Sequence, residues 1–460
     1  MSVERLYNRV KNSPAFKDLA QRLASGEEVV TMRGGAGSLS AFAMAWIEET
    51  VPGPVVIVCA DEDRAEALRN DLERLVDDEH VGYFPGWDVA HFDGRSPHLD
   101  VVGLRMEALD QLRRGTGGIV VVPIEALMGH TLPPDLFDLS VKVIRTDQEI
   151  SPVELADHLV EIGYERVTTV EGVGQFSVRG GILDFCSFGN PHPVRLEFWG
   201  DEISSIRAFD LSTQRSVEHL EETRILPCRE SVLPLTMADI YSANLAKGEK
   251  DLGIELPKVR EILEREGIFE GQEHYLGVLY GEQTGMLEYV PKGCWLVLDD
   301  PGGTAGAAEE VWGACVKAAE RQEKRRGETE PLPPEAVLRK PDVVLQQLEQ
   351  MPRVHNRALG GVSDDVIDLG GKGGRHYEGH VPVLKEDLRR YWLNDYEVVI
   401  LCESAGQQAR LEEILEESVD VVSIYVGPLQ AGFIYEPGKV FLINDHEIYS
   451  RVHRRRRYRR

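Results

Sequence analysis

Between residues 28 and 128 short apolar runs alternate with amphipathic stretches. Val29-Val30-Thr31-Met32 leads into the glycine-rich Arg33-Gly34-Gly35-Ala36-Gly37-Ser38 and then a helical pattern reaching Trp46. Val55-Val56-Ile57-Val58 precedes a charged helical stretch over 61–76, and Ile119-Val120-Val121-Val122 follows another over 104–112. Apolar strands alternating with helices predict a parallel sheet covered on both faces.

Near residue 141 the period changes. Short alternating strands surround one helical stretch at 152–162, which predicts a small inserted α+β domain over 141–224. Within it Val194-Arg195-Leu196-Glu197-Phe198-Trp199 places Val194, Leu196 and Phe198 on one face and Arg195, Glu197 and Trp199 on the other. Phe176-Ser177-Val178-Arg179 alternates in the same sense, so Arg179 joins Arg195 on the outer face if the strands share a sheet. A tryptophan on a polar face either lies under a neighbouring loop or meets a partner, and arginine and tryptophan dominate interface hot spots.

The α/β pattern resumes over 225–350, with a helix at 259–266, the apolar strand Cys294-Trp295-Leu296-Val297-Leu298 ended by Asp299-Asp300, and a long charged helix at 305–326. A proline-rich loop at 327–334 separates it from a further small α/β domain at 351–450, with strands at 398–401, 421–425 and 440–443 and a helix at 407–417. The expected class is α/β: a parallel-sheet domain built from 1–140 and 225–350, an inserted α+β domain, and a second α/β domain.

Charge narrows the partners. With 51 lysines and arginines against 78 acidic residues, the 460-residue chain carries a formal charge of −27, which disfavours general attraction to a nucleic-acid backbone. One basic run, 451–460, stands out and reads as the start of a linker, implying a piece of something longer. The cysteines at 59, 186, 228, 294, 315 and 402 include no C-x-x-C pair, so neither a zinc site nor a disulfide framework is expected. No run reaches the roughly 18 apolar residues of a membrane span, and reduced thiols point to a cytoplasmic protein.

The loop at 33–38 has the setting of a phosphate loop without its chemistry. Aligning Gly37 with the last glycine of G-x-x-x-x-G-K-[ST] puts Met32 at the first glycine, Ser38 at the lysine and Leu39 at the metal-binding hydroxyl. Gly34, Gly35, Gly37, Ser38 and Leu39 therefore form a degenerate nucleotide loop, expected to be inactive. Asp299-Asp300 sits where a carboxylate would hold magnesium through water, but no loop positions a nucleotide there. The histidines form no H-E-x-x-H set and no Gly-x-Ser-x-Gly elbow occurs, so no catalytic residue, metal or cofactor is expected.

Gly174-Gln175-Phe176-Ser177-Val178-Arg179-Gly180-Gly181-Ile182-Leu183-Asp184-Phe185, then Pro193-Val194-Arg195-Leu196-Glu197-Phe198-Trp199-Gly200-Asp201-Glu202-Ile203, resembles the signature shared by the excision-repair protein UvrB and the bacterial transcription-repair coupling factors. Phe84-Pro85-Gly86-Trp87-Asp88 and Phe269-Glu270-Gly271, with Glu273-His274-Tyr275-Leu276, resemble the coupling factors in particular. The broken loop and the short span between Phe84 and Val120, with no room for a DNA-probing hairpin, set the chain apart from UvrB. The resemblance implies a degenerate helicase-like domain, with UvrA docking on the inserted domain through Arg179, Arg195 and Trp199. It also implies that contacts with RNA polymerase and DNA belong to domains absent from this chain, and that the longer parent is an ATP-driven DNA translocase. The arginine forks are expected to pair with partner carboxylates while the indole excludes water. Three roles stand open on the sequence: a non-catalytic adaptor recruiting UvrA, a UvrB-like ATPase acting on DNA, and a module restraining the parent's motor.

Overall fold

The computed structural model describes residues 2–449, apart from 77–79, 266–268, 281–283, 325–331, 358–364 and 416–420. The basic run at 451–460 and most of the proline-rich loop lie outside the described residues.

Seven parallel strands form the large sheet, in the spatial order Val366–Asp368, Val29–Arg33, Arg353–Arg357, Trp295–Asp299, Val55–Cys59, Ile119–Pro123, Val81–Tyr83. Its central strands are buried along their whole length because helices cover both faces, which is why they read as unbroken apolar runs. Among these helices, Glu62–Leu75 starts on Asp61, whose carboxylate accepts the Arg64 N–H at 2.7 Å. Leu99–Arg114 stops at Gly115, which takes the left-handed φ of 62°. The sheet continues past residue 351, where the sequence reading began the final unit: Arg353–Arg357 and Val366–Asp368 are its strands.

Between Ile119–Pro123 and Trp295–Asp299 the chain makes the inserted domain. Lys142–Arg145 and Glu222–Ile225 pair antiparallel, so the domain is entered and left side by side. Its six-stranded sheet runs in the order Ser216–Leu220, Glu202–Phe209, Val194–Trp199, Ile182–Phe185, Gln175–Arg179, Glu165–Arg166, antiparallel except for the last pair. Phe176, Leu183, Leu196 and Ile206 on the inner face share one core with Leu155 and Leu159 of helix Pro152–Glu161. The same core continues into Met106 and Leu109 of the large domain. Packing there is close: a Cβ on Gly103 would overlap the Phe188 ring.

The C-terminal unit is a five-stranded mixed sheet in the order Gly371–Gly373, Phe433–Tyr435, Val440–Asn444, Glu397–Cys402, Ser423–Val426. One face forms its own core with helices Val381–Leu393 and Ala405–Leu415. The other joins the large domain's core, where Phe433 meets Phe42 edge-on at 5.4 Å and Tyr435 meets Phe16 at 6.0 Å. Among the described residues no helix is long and apolar enough to cross a membrane.

Candidate docking face and degenerate nucleotide loop

The inserted sheet gets its register from a two-residue turn. Gly180, at φ 60°, and Gly181 reverse the chain so that Arg179 pairs with Ile182 and Ser177 with Asp184. Asp184 in turn faces Arg195. Strict alternation then gathers Ser177, Arg179, Asp184, Arg195, Glu197 and Trp199 on the outer face.

Alternation brings the two arginines together on one carboxylate. Asp184 is 1% exposed. Arg195 donates to it through Nε and Nη2 at 2.7 and 2.9 Å, and Arg179 through Nη2 at 2.6 Å. Arg195 Nη1 reaches the Gln214 carbonyl at 3.4 Å, and its guanidinium lies 4.8 Å from the Phe209 ring centre. The hydrogen bonds to Asp184 raise the Arg195 pKa, outweighing partial burial. Arg195 is thus a fixed plate, 17% exposed at the side chain, whereas Arg179 is 49% exposed. The forks expected to be spent wholly on a partner are, in this structure, partly spent at home.

Trp199 stands apart, about 13 Å along its strand from Arg195 at 3.3 Å per residue. It is 82% exposed, so no neighbouring loop covers it. The covered end of the outer face is the other one, where Phe209, Cys186 and Val170 make a small apolar cluster.

The loop after Val29–Arg33 is filled by the protein's own chain. Ser38 N–H donates to the Ala431 carbonyl at 3.1 Å, and Ala431 N–H returns a bond to Ser38 Oγ at 3.1 Å. Gln430 N–H donates to Asp71 at 2.7 Å, and the Ser38 hydroxyl also bonds Asp71. Gly34 accepts from Gly371 N–H at 2.9 Å. A Cβ on Gly37, which has φ 58°, would overlap the Gly432 carbonyl oxygen. Burial pushes the Asp71 carboxyl up to about 7, against the opposing pull of Ser38, the Gln430 N–H and Arg64. Leu39 is buried in the core shared with the C-terminal unit. Nearby, Asp299 is engaged by Arg64 Nε at 2.6 Å and Asn356 Nδ2 at 2.6 Å. Burial works most strongly against the Arg64 charge, but the hydrogen bond to Asp299, the charge of that carboxylate and smaller contributions from Cys59 and Asp71 together outweigh it, and the pKa rises.

The two motifs special to the coupling-factor resemblance meet each other. Ser96 Oγ donates to Glu273 at 2.7 Å and accepts from Gly271 N–H at 2.9 Å, while Trp87 and His274 pack edge-on at 5.5 Å. Trp87 Nε1 and the buried Arg105 both bond Glu230. These residues clasp the loop before helix Leu99–Arg114 to the segment at 269–276. Among the described residues no group of three or more His, Cys, Asp or Glu side chains could hold a metal ion.

A parallel α/β sheet interrupted by this antiparallel domain, with its arginine-bearing outer face, defines the class: residues 143–230 match the UvrB interaction domain family. The whole chain has relatives too. It is 30% identical over 501 residues to the transcription-repair-coupling factor of Myxococcus xanthus, covering 97% of this chain and 41% of that protein. It is 25% identical over 487 residues to that of Bacillus subtilis (strain 168), covering 96% and 40%, and 32% identical over 194 residues to that of Escherichia coli (strain K12), covering 42% and 17%. The chain is thus similar over nearly its whole length to transcription-repair-coupling factors, and its inserted domain to the UvrB interaction domain. It spans about two fifths of the length of the Myxococcus and Bacillus relatives.

Sequence reasoning named Arg179, Arg195 and Trp199 but gave Asp184 no role. The signal was there: an acid between Leu183 and Phe185, three residues past a Gly-Gly turn, must face the arginine side. The occupant of the degenerate loop had no local signal, because residues 430–432 lie almost 400 positions from Ser38.

Proposed function

We propose that this chain is a non-catalytic adaptor that docks UvrA through the outer face of its inserted domain and so links transcription to nucleotide-excision repair. The observation that carries the reading is the 82% exposed Trp199 on the same sheet face as a cluster of two arginines on one buried carboxylate, within the stretch that matches the UvrB interaction domain. The cluster bears a net charge of about +1, two guanidinium groups against one carboxylate, on a chain of −27. A positive spot and an exposed indole on one sheet face suit an acidic, partly apolar partner patch. Contacts with RNA polymerase and DNA, and ATP-driven movement, are assigned in this reading to other parts of a longer protein.

The absence of catalysis is part of the proposal. Its support is that the groups a phosphate would need are engaged: Ser38 with Ala431, Asp299 with Arg64 and Asn356. The test is calorimetric titration of UvrA and, separately, of ATP into the chain. UvrA binding that falls at least tenfold with Arg179→Ala and with Trp199→Ala, together with no heat from ATP, is the expected pattern. Micromolar ATP binding would reinstate the ATPase reading.

A further inference from the structure

We infer that Asp184, which is too buried to meet a partner, is the positioning residue of the docking face. The inference rests on the proposed UvrA reading and adds a division of labour within it. A buried carboxylate is costly and survives only where charge-assisted bonds answer it. Here all three of its side-chain bonds come from the two docking arginines, and Ser177 beside it turns its hydroxyl to the Thr168 carbonyl instead. Asp184 therefore does not serve the inserted domain's core; its bonds serve the outer face.

The two arginines use it differently. Arg195 commits Nε and Nη2 to Asp184 and Nη1 to Gln214, with its guanidinium over the Phe209 ring, so it is held on every side that bonds. Arg179 commits Nη2 alone and is half exposed, so its remaining fork points toward a partner. Asp184 thus fixes one Arg179 nitrogen so that the others are presented without the rotamer loss that a free arginine suffers on binding. Arg195 supports this arrangement as the opposing clamp. The partner group that fits is a single carboxylate at Arg179, next to an apolar surface for Trp199.

Asp184→Asn separates charge from positioning. It raises the charge of the Asp184 cluster from about +1 to about +2, which speeds association with an acidic partner at low salt, while loss of the clamp speeds dissociation. The experiment is surface-plasmon kinetics of the whole chain on immobilised UvrA. The expected result is a dissociation rate up on the order of tenfold, with an association rate that rises and becomes more salt-sensitive. In an Arg179→Ala background the same change should have little effect on dissociation. Damage to the fold alone lowers the active fraction and leaves both rate constants of the bound population unchanged. Arg179→Lys, at an exposed position, gives a second reading: an ammonium on a flexible stem has three donors but no planar fork to hold Asp184 and a partner carboxylate in fixed geometry, so it should dissociate faster than the unmodified chain. A wild-type dissociation rate in Asp184→Asn, or in Arg179→Lys, overturns the positioning role. No UvrA binding by the unmodified chain would instead overturn the docking reading beneath it.

Discussion

Asp71 offers the sharpest test of how the degenerate loop is sealed. Its carboxyl is buried between Ser38 and the Gln430 N–H, and burial moves it from 3.8 to about 7. A raised acid takes up a proton in the folded state that it releases in the opened one, so its contribution is full below about pH 4 and is lost as pH climbs to about 7. At about 1.4 kcal/mol for each tenfold change in proton affinity, the rise from 3.8 to about 7 makes that loss roughly 4 kcal/mol, with no further change above pH 7. Protonated, Asp71 keeps one oxygen for Gln430 and turns its hydroxyl to Ser38, so the seal is tighter when neutral. Asp71→Asn makes the neutral state permanent. Hydrogen exchange of the amides at 428–433, corrected for intrinsic rates, reads the local opening free energy directly and avoids a two-state treatment of a multidomain chain. The unmodified protein should open more easily from pH 4 to 7 at up to about 1.4 kcal/mol per unit, whereas Asp71→Asn should be nearly flat. The same slope in both proteins, or opening that becomes harder with rising pH, refutes the assignment.

Gly37→Ala forces a side chain onto a φ of 58° and against the Gly432 carbonyl; docking of the C-terminal unit should weaken by about 2 kcal/mol or more, seen as early proteolysis near 428–436. Asp299→Ala leaves Arg64 without its carboxylate and should cost about 2 kcal/mol in urea unfolding, with most of the loss recovered by Arg64→Met in the same chain; an unchanged midpoint would count against the pair. Trp199→Ala should leave stability within about 0.5 kcal/mol, because the ring covers nothing, while UvrA affinity drops. A lower melting temperature with intact affinity would make Trp199 a structural residue.

Much of the frame was legible because burial on both faces leaves a plain trace: Val55–Cys59 and Ile119–Pro123 are apolar at nearly every position. The outer face was legible for the opposite reason, since a strand with one wet side alternates. What sequence did not reveal was membership. Arg353–Arg357 reads as a strand, but nothing local says that it pairs with Val29–Arg33 more than 300 residues earlier rather than with Glu397–Cys402. Helix Ala238–Leu252 escaped notice because Tyr241 and Leu245 are its buried side chains, too few to set a period. Asp184 was missed because an acid flanked by apolar residues reads as a break in a strand until its cross-strand neighbours are known.

The sealed loop has a further meaning in terms of competition. Segment 430–432 is a tethered ligand, and its local concentration is set by the chain rather than by the surroundings. Tethering keeps that occupant within reach of the loop, and the Phe42–Phe433 and Phe16–Tyr435 contacts fix it there. A diffusing phosphate must outcompete that occupant and separate two sheets to enter. The C-terminal unit therefore keeps its orientation on the large sheet through bonds made within the chain, and any phosphate drawn to this loop would compete with contacts that also hold two sheets together.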